Sequence, residues 1–253
     1  MDDALGAVVV VVPVRNEEKL LGLCLDHVRL AMEQLHRARP QITVNLTVVL
    51  DQCQDSSALV AASHAARDKR ITVISVDFGS VGSSRASGIE NALAALSSCV
   101  PPDRSLHETW IACTDADTQV PAHWLTRTVE LAESGHDAVT GTVEPDRNEL
   151  GETLFAAWRR EHRSHEGHNH VHGANLGFRA SEYRAVGGFP PVPVDEDVLL
   201  VDRLRAHGAR ILATGQLHAI TSGRIQGRVG TGFAAYLHSL DTGTSTQTGR
   251  PNS

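Results

Sequence analysis

Close cysteine pairs, long apolar runs and a surplus of basic residues are all missing from this chain of 253 residues. The four cysteines, Cys24, Cys53, Cys99 and Cys113, are scattered. That argues against a Cys-x-x-Cys zinc site or a small disulfide scaffold and reads as reduced, mostly buried thiols. The longest apolar run, Ala7 to Val12, stops at Pro13. It is far too short to span a bilayer and has no basic segment before it, so the expectation is a cytoplasmic protein with no integral membrane segment, peripheral association remaining open. Lys and Arg number 23 against 30 Asp and Glu, a formal charge of −7, which gives no electrostatic basis for binding nucleic acid or an anionic membrane. No internal repeat is visible. With 41% hydrophobic and 21% charged residues the composition is that of a globular chain, long enough for one α/β domain or two small ones.

Strand and helix patterns alternate through the first half. The β-branched run Val8 to Val12 reads as a strand buried on both faces, followed by apolar residues at helical spacing from about Glu17 to His36. Ile42 to Leu50, Ile71 to Val76 and Thr109 to Cys113 read as further strands, with helices over about Ser56 to Ala66 and Ala86 to Leu96 and a loop at Gly79 to Gly82. This alternation implies parallel βαβ units. Beyond Trp124 the expected elements are a helix over Pro121 to Ser134, a strand over Ala138 to Val143, and a helix near Leu150 to Glu166. A Gly-rich segment from Gly173 to Pro193, a helix over Asp195 to His207 and a last strand over Ile211 to Thr214 follow. Asp241 to Ser253 is small and polar and reads as a disordered tail.

Polar loops follow four successive strands, at the carboxyl ends where open α/β sheets bind ligands. The first contains Pro13, Val14, Asn16 and Glu17, the second Asp51 and Asp55, the third Gly82, Arg85 and Gly88, and the fourth Asp115 and Asp117. Alternate side chains of an extended segment share a face, so Asp115 and Asp117 can jointly present oxygen ligands to Mg²⁺ or Mn²⁺. Taken singly, each feature also reads as a cap or a turn.

In this order the motifs resemble those of the family 2 glycosyltransferases of the GT-A fold, over about Val8 to Gly208. Pro13, Asn16 and Glu17 match the family's Pro-x-x-Asn-Glu; Asp51 and Asp55 fall in its acidic nucleoside-reading segment, where Leu50 replaces another acid. Gly82, Arg85 and Gly88 match its Gly-x-x-x-Ala-Arg-Asn-x-Gly, with Ser87 in place of Asn. Asp115 and Asp117 fall on its Asp-x-Asp. Gly173-Ala174-Asn175 through Arg179, then Gly187-Gly188-Phe189, resemble its acceptor-side signature, and Asp195-Glu196-Asp197 its catalytic acidic segment.

The resemblance implies an α/β GT-A fold with a Rossmann-like, mixed but mostly parallel sheet flanked by helices. It would form a single domain over 1–240, with a nucleotide-sugar half to about 120 and an acceptor half beyond it. It further implies transfer of a sugar from a nucleotide-diphospho-sugar, UDP-sugar first, to an unidentified acceptor hydroxyl with inversion, using Mn²⁺ or Mg²⁺. Pro13, Val14, Asn16, Glu17, Asp51, Gly82, Arg85 and Asp115 would hold the donor, and Asp115, Asp117 and His218 the metal. Gly173, Asn175 and Asp195 would hold the acceptor, with Asp197 as base and Glu196 beside it. A retaining enzyme gripping a phosphorylated acceptor with Arg224 and Arg228, and a catalytically silent nucleotide-binding module, are the rival readings. His162, His165, His168, His170 and His172 form either a polar acceptor loop or a zinc or nickel site.

Overall fold

A computed structural model describes residues 4–97, 106–161 and 165–224. Strand β1 (Ala7–Val14) is buried along its whole length. It pairs in parallel with β2 (Thr43–Asp51) on one side and β4 (Thr109–Cys113) on the other, and β3 (Ile71–Val76) extends the sheet in parallel beyond β2. Such uninterrupted apolar runs suit a central strand covered on both faces. The side-chain period of two divides the core accordingly. Val8, Val10, Val12 and Val14 pack with Leu21, Leu25, Val28 and Met32 of α1 (Leu21–Ala38), whereas Val9 and Val11 pack with Ile89 and Leu93 of α3 (Val81–Ser97). Helix α2 (Ser57–Arg67) joins the α1 side through Ala61.

Close approach of α3 to the sheet depends on Gly88, where a Cβ would lie 2.6 Å from Val11 Cγ1 and 2.7 Å from Val49 Cγ2. The helix begins at Val81, inside the segment that the sequence presents as a loop. The cause is tertiary: Asp51 at the end of β2 takes the amides of Phe78, Gly79 and Ser80 at 2.9 to 3.1 Å and so organises the first turn.

In the second half the chain turns back on itself. After β5 (Thr118–Gln119) and α4 (Trp124–Glu133), β6 (Ala138–Pro145) leads to α5 (Arg147–Leu150) and α6 (Glu152–Glu161). Then β7 (Leu176–Arg179) enters the sheet antiparallel to both β4 and β6. This strand lies in the stretch read only as Gly-rich. After α7 (Ala180–Ala185) and α8 (Glu196–His207), β8 (Ile211–Thr221) runs parallel to β6, seven residues past the expected end at Thr214. Its register jumps from Thr140↔Ala213 to Thr142↔His218, an irregularity containing Gly215 that hides the continuation. The order β3-β2-β1-β4-β7-β6-β8-β5 makes one mixed, mostly parallel eight-stranded sheet.

Candidate active site

The carboxyl ends of β1, β2 and β3 enclose a groove of about 540 Å³ lined by Arg15, Asn16, Gln52, Cys53, Gln54 and Asp77. Two of its residues carry left-handed backbone, Asn16 at φ 54° and Gln52 at φ 53°. Conformations of this kind are held by their surroundings. Asn16 Oδ1 accepts from the Gln54 amide at 2.7 Å, and Gln52 bridges Arg15 at 2.9 Å and Asp77 at 2.6 Å. Pro13 and Val14, the last residues of β1, are buried, and the Val14 carbonyl accepts from the Cys53 thiol at 3.3 Å. Asp51 is buried and is not among the residues that line the groove. Its two oxygens accept from three amides at the start of α3 and from the Ser84 hydroxyl at 2.8 Å, so its carboxylate shapes the loop.

Where β4 ends, a chain of alternating charges crosses the site. Arg85, 2% exposed on α3, donates to Asp115 Oδ1 at 2.5 Å and to Glu196 Oε1 at the start of α8. Arg224, just past β8, donates to both oxygens of Glu17 at 2.8 and 3.0 Å and reaches Asp117 Oδ2 at 2.8 Å. Four carboxylates thus share two guanidiniums, leaving two negative charges in surplus. Arg85 also lies 5.8 Å from the centroid of the Phe189 ring and against Gly173, where a Cβ would collide with the guanidinium. Gly82 has the same character, since a Cβ there would meet Glu196 Cγ at 2.9 Å. Burial works against the Arg85 charge, but Asp115 and Glu196 more than compensate and hold it firmly protonated.

Asp117 lies deeper than its neighbour, its side chain 14% exposed against 35% for Asp115. Burial, then repulsion from Asp115, pushes its carboxyl up to about 6 against the opposing pull of Arg224. Burial likewise raises Glu196, opposed by Arg85. Asp197 is oriented by backbone: Oδ2 accepts from the Gly173 amide at 2.6 Å and Oδ1 from the Val198 amide at 2.8 Å. Asp195, exposed and at φ 60°, turns the chain into α8.

The surplus of two negative charges and the oxygen donors of Asp115 and Asp117 fit a divalent cation that completes its shell with water and phosphate oxygens. Among the described residues no group of three or more His, Cys, Asp or Glu side chains is arranged to hold a metal by itself. His218 does not join the pair. Its Nδ1 lies 3.0 Å from Thr142 Oγ1 and its Nε2 3.6 Å from Glu144, whereas Thr221, three residues on and therefore on the other face of β8, supplies the hydroxyl to Asp117 at 3.3 Å. Asn175 also departs from its expected acceptor contact. It is 2% exposed, its amide nitrogen donates to the carbonyls of Thr142 and Leu217, and its oxygen accepts from Trp124 Nε1 at 3.0 Å, so every polar atom of the side chain is spent on tying β6, β8 and α4 together.

In the histidine-rich stretch, the rings of His168, His170 and His172 stack at centroid distances of 5.7 and 6.0 Å, while His165 is exposed. Cys24 and Cys113 are buried free thiols and Cys53 is a half-buried one. His162, Cys99, Arg228 and the tail from Asp241 lie outside the described residues. Glu149, which the sequence did not mark, anchors the segment before Arg224 by accepting from the Ser222 hydroxyl at 2.7 Å and the Gly223 amide at 2.8 Å. No local pattern announces such a contact between residues so far apart in the chain.

A mixed, mostly parallel sheet flanked by helices, with a polar groove and the Asp115–Asp117 pair at its strand ends, has the architecture of the GT-A fold. The family model for glycosyl transferase family 2 matches residues 9–186, and the chain belongs to that family. No curated protein matches it significantly. Solved structures with this fold include a mannosyltransferase from Pyrobaculum calidifontis in complex with GDP-Man and Mn²⁺, with TM-score 0.57, 20% identity, and coverage of 87% of this chain and 57% of that one. GalNAc-T7 with UDP, GalNAc and Mn²⁺ aligns with TM-score 0.63 at 11% identity, over 90% of this chain and 46% of that one. Glucosyl-3-phosphoglycerate synthase from Mycobacterium tuberculosis, in complex with Mn²⁺, UDP and phosphoglyceric acid, aligns with TM-score 0.53 at 16% identity, over 94% and 75%. The chain spans about half the length of the first two. Among the described residues no helix is long and apolar enough to cross a membrane.

Proposed function

We propose that this protein is a metal-dependent transferase that moves a sugar from a nucleotide-diphospho-sugar, UDP-sugar first among candidates, to an acceptor hydroxyl with inversion. The observation that carries the reading is the placement of Asp197. It lies beside Glu196 on the turn that Arg85 joins to Asp115, so the base candidate and the Asp-x-Asp are parts of one connected site.

The groove between Asn16 and Gln52 receives the nucleoside, with Arg15, Gln54 and Asp77 on its walls. Asp115 and Asp117 would hold Mn²⁺ or Mg²⁺, which would supply positive charge to offset that developing on the departing diphosphate. Arg85 fixes Asp115 relative to Glu196. Asp197, held by the Gly173 and Val198 amides, takes the proton of the acceptor hydroxyl as that oxygen attacks the anomeric carbon opposite the leaving group. Gly173 and Asp195 border the acceptor space.

A retaining reaction on a phosphorylated acceptor, by analogy with the phosphoglycerate-bound neighbour, would need Arg224 to grip that phosphate. Arg224 stands with Glu17 and Asp117 among the residues assigned to the donor and metal, not with Asp197, and this grouping favours the inverting reading. The test is incubation with a panel of UDP-, GDP- and dTDP-sugars with and without Mn²⁺, scored by NMR for nucleotide release and product anomer. Manganese-dependent turnover giving an inverted anomer is expected; a retained anomer would overturn the assignment of Asp197 as base.

A further inference from the structure

Arg224 occupies a peculiar position for a residue near a proposed metal site. Its guanidinium binds Asp117 Oδ2, one of the two carboxylates proposed to receive the cation, and both oxygens of Glu17. The contact is not that of a trailing side chain. Thr221 O accepts from the Asp146 amide at 2.7 Å, Glu149 holds Ser222 and Gly223, and a Cβ on Gly223 would lie 2.6 Å from the Asp146 carbonyl. The base from which Arg224 projects is therefore built into the fold by α5. Glu17 has a side chain only 7% exposed, and with Asp117 it makes two poorly hydrated carboxylates that Arg224 neutralises together.

Resting on the metal-dependent reading above, we infer that Arg224 is the internal counter-ion of the donor site and exchanges Asp117 for the donor diphosphate when the divalent cation binds. A guanidinium and a divalent cation at one carboxylate oxygen repel each other within a few ångströms, in surroundings where water screens weakly. The cation alone must therefore compete with Arg224. A nucleoside diphosphate arriving with it gives the displaced guanidinium a new anionic partner of the planar, bidentate kind that arginine matches. Metal and nucleotide then strengthen each other's binding, because each offsets the cost the other imposes on Arg224. This assigns to Glu17 the task of keeping Arg224 at the site while it changes partners.

Calorimetric titration of Mn²⁺ alone and of Mn²⁺ in the presence of UDP tests this in the wild type, Arg224→Gln and Arg224→Lys. Removing the positive charge is expected to tighten binding of Mn²⁺ alone by about tenfold. The same change should reduce the factor by which UDP improves Mn²⁺ affinity. Arg224→Lys keeps a charge against the two carboxylates, so it tests the exchange even where the Gln variant does not fold, and it should keep Mn²⁺ affinity low while losing part of the UDP effect. Unchanged or weaker Mn²⁺ binding in Arg224→Gln, or an undiminished UDP effect in both variants, overturns the exchange. Failure of every form to bind Mn²⁺ even with UDP overturns the metal-dependent reading itself and the exchange with it.

Discussion

The amide of Gly173 donates to Oδ2 of Asp197 at 2.6 Å, joining the segment ahead of β7 to the first turn of α8. A backbone donor cannot rotate away as a side chain can, so the carboxylate is oriented before any acceptor arrives. Asp197→Asn keeps an oxygen for one of the two amides but cannot take a proton. The expected outcome is a fall in kcat of about 10²- to 10⁴-fold with donor affinity unchanged, measured by initial rates and by UDP titration.

Arg85 is buried with two carboxylate partners, and removing one member of such a group strands the rest. Arg85→Met should lower stability by about 3 kcal/mol in urea denaturation. Adding Glu196→Gln should recover part of the loss, because the more deeply buried of the two stranded charges is then gone. Additive losses in the double variant would show that Arg85 and Glu196 are not coupled.

The carboxyl of Asp117 sits at about 6 in the folded chain, above the value of about 3.9 typical of an unfolded one. The native state therefore binds more protons than the unfolded state between these values, so this group's contribution to stability increases as pH falls through that window and is lost as pH rises through about 6. Asp117→Asn should melt at a higher temperature than wild type at pH 7, with the gap closing near pH 4. Because the ligand must be deprotonated, wild-type Mn²⁺ affinity should drop below about pH 6 and binding there should release protons. Equal melting temperatures at pH 7 and a pH-independent Mn²⁺ affinity would contradict this account.

Asn175 holds two carbonyls and an indole N–H in the interior. Asn175→Ala leaves these groups without that partner and should cost about 3 kcal/mol by urea unfolding. Turnover by the fraction still folded should be near normal, since the side chain faces no substrate. A stable but inactive variant would return Asn175 to the acceptor site.

How far the sequence reveals this site depends on how local each relationship is. The valine run of β1 and the polar clusters after β1, β2, β3 and β4 are local patterns, and they located Asn16, Arg85, Asp115 and Asp117 at neighbouring strand ends. Strand β7 was hidden because Gly177 breaks its short apolar pattern while pairing on both edges makes it a strand. The face on which His218 lies depends on the register jump in β8, which no period in the sequence carries. The links from Arg224 to Glu17 and from Arg85 to Glu196 span 207 and 111 residues, distances over which local charge patterns carry no information.

The position of β7 between β4 and β6 also bears on how this sheet can be cut. A fragment ending near Gln119 would retain the groove at the ends of β1 to β3 and the Asp115–Asp117 pair, yet it would bare the backbone of β4 along the edge that β7 covers. An open, mostly apolar edge is a template for pairing with another chain. The first half is thus separable in the geometry of its strand ends but not in its solubility, and cutting it from the rest would expose a strand edge prone to aggregation.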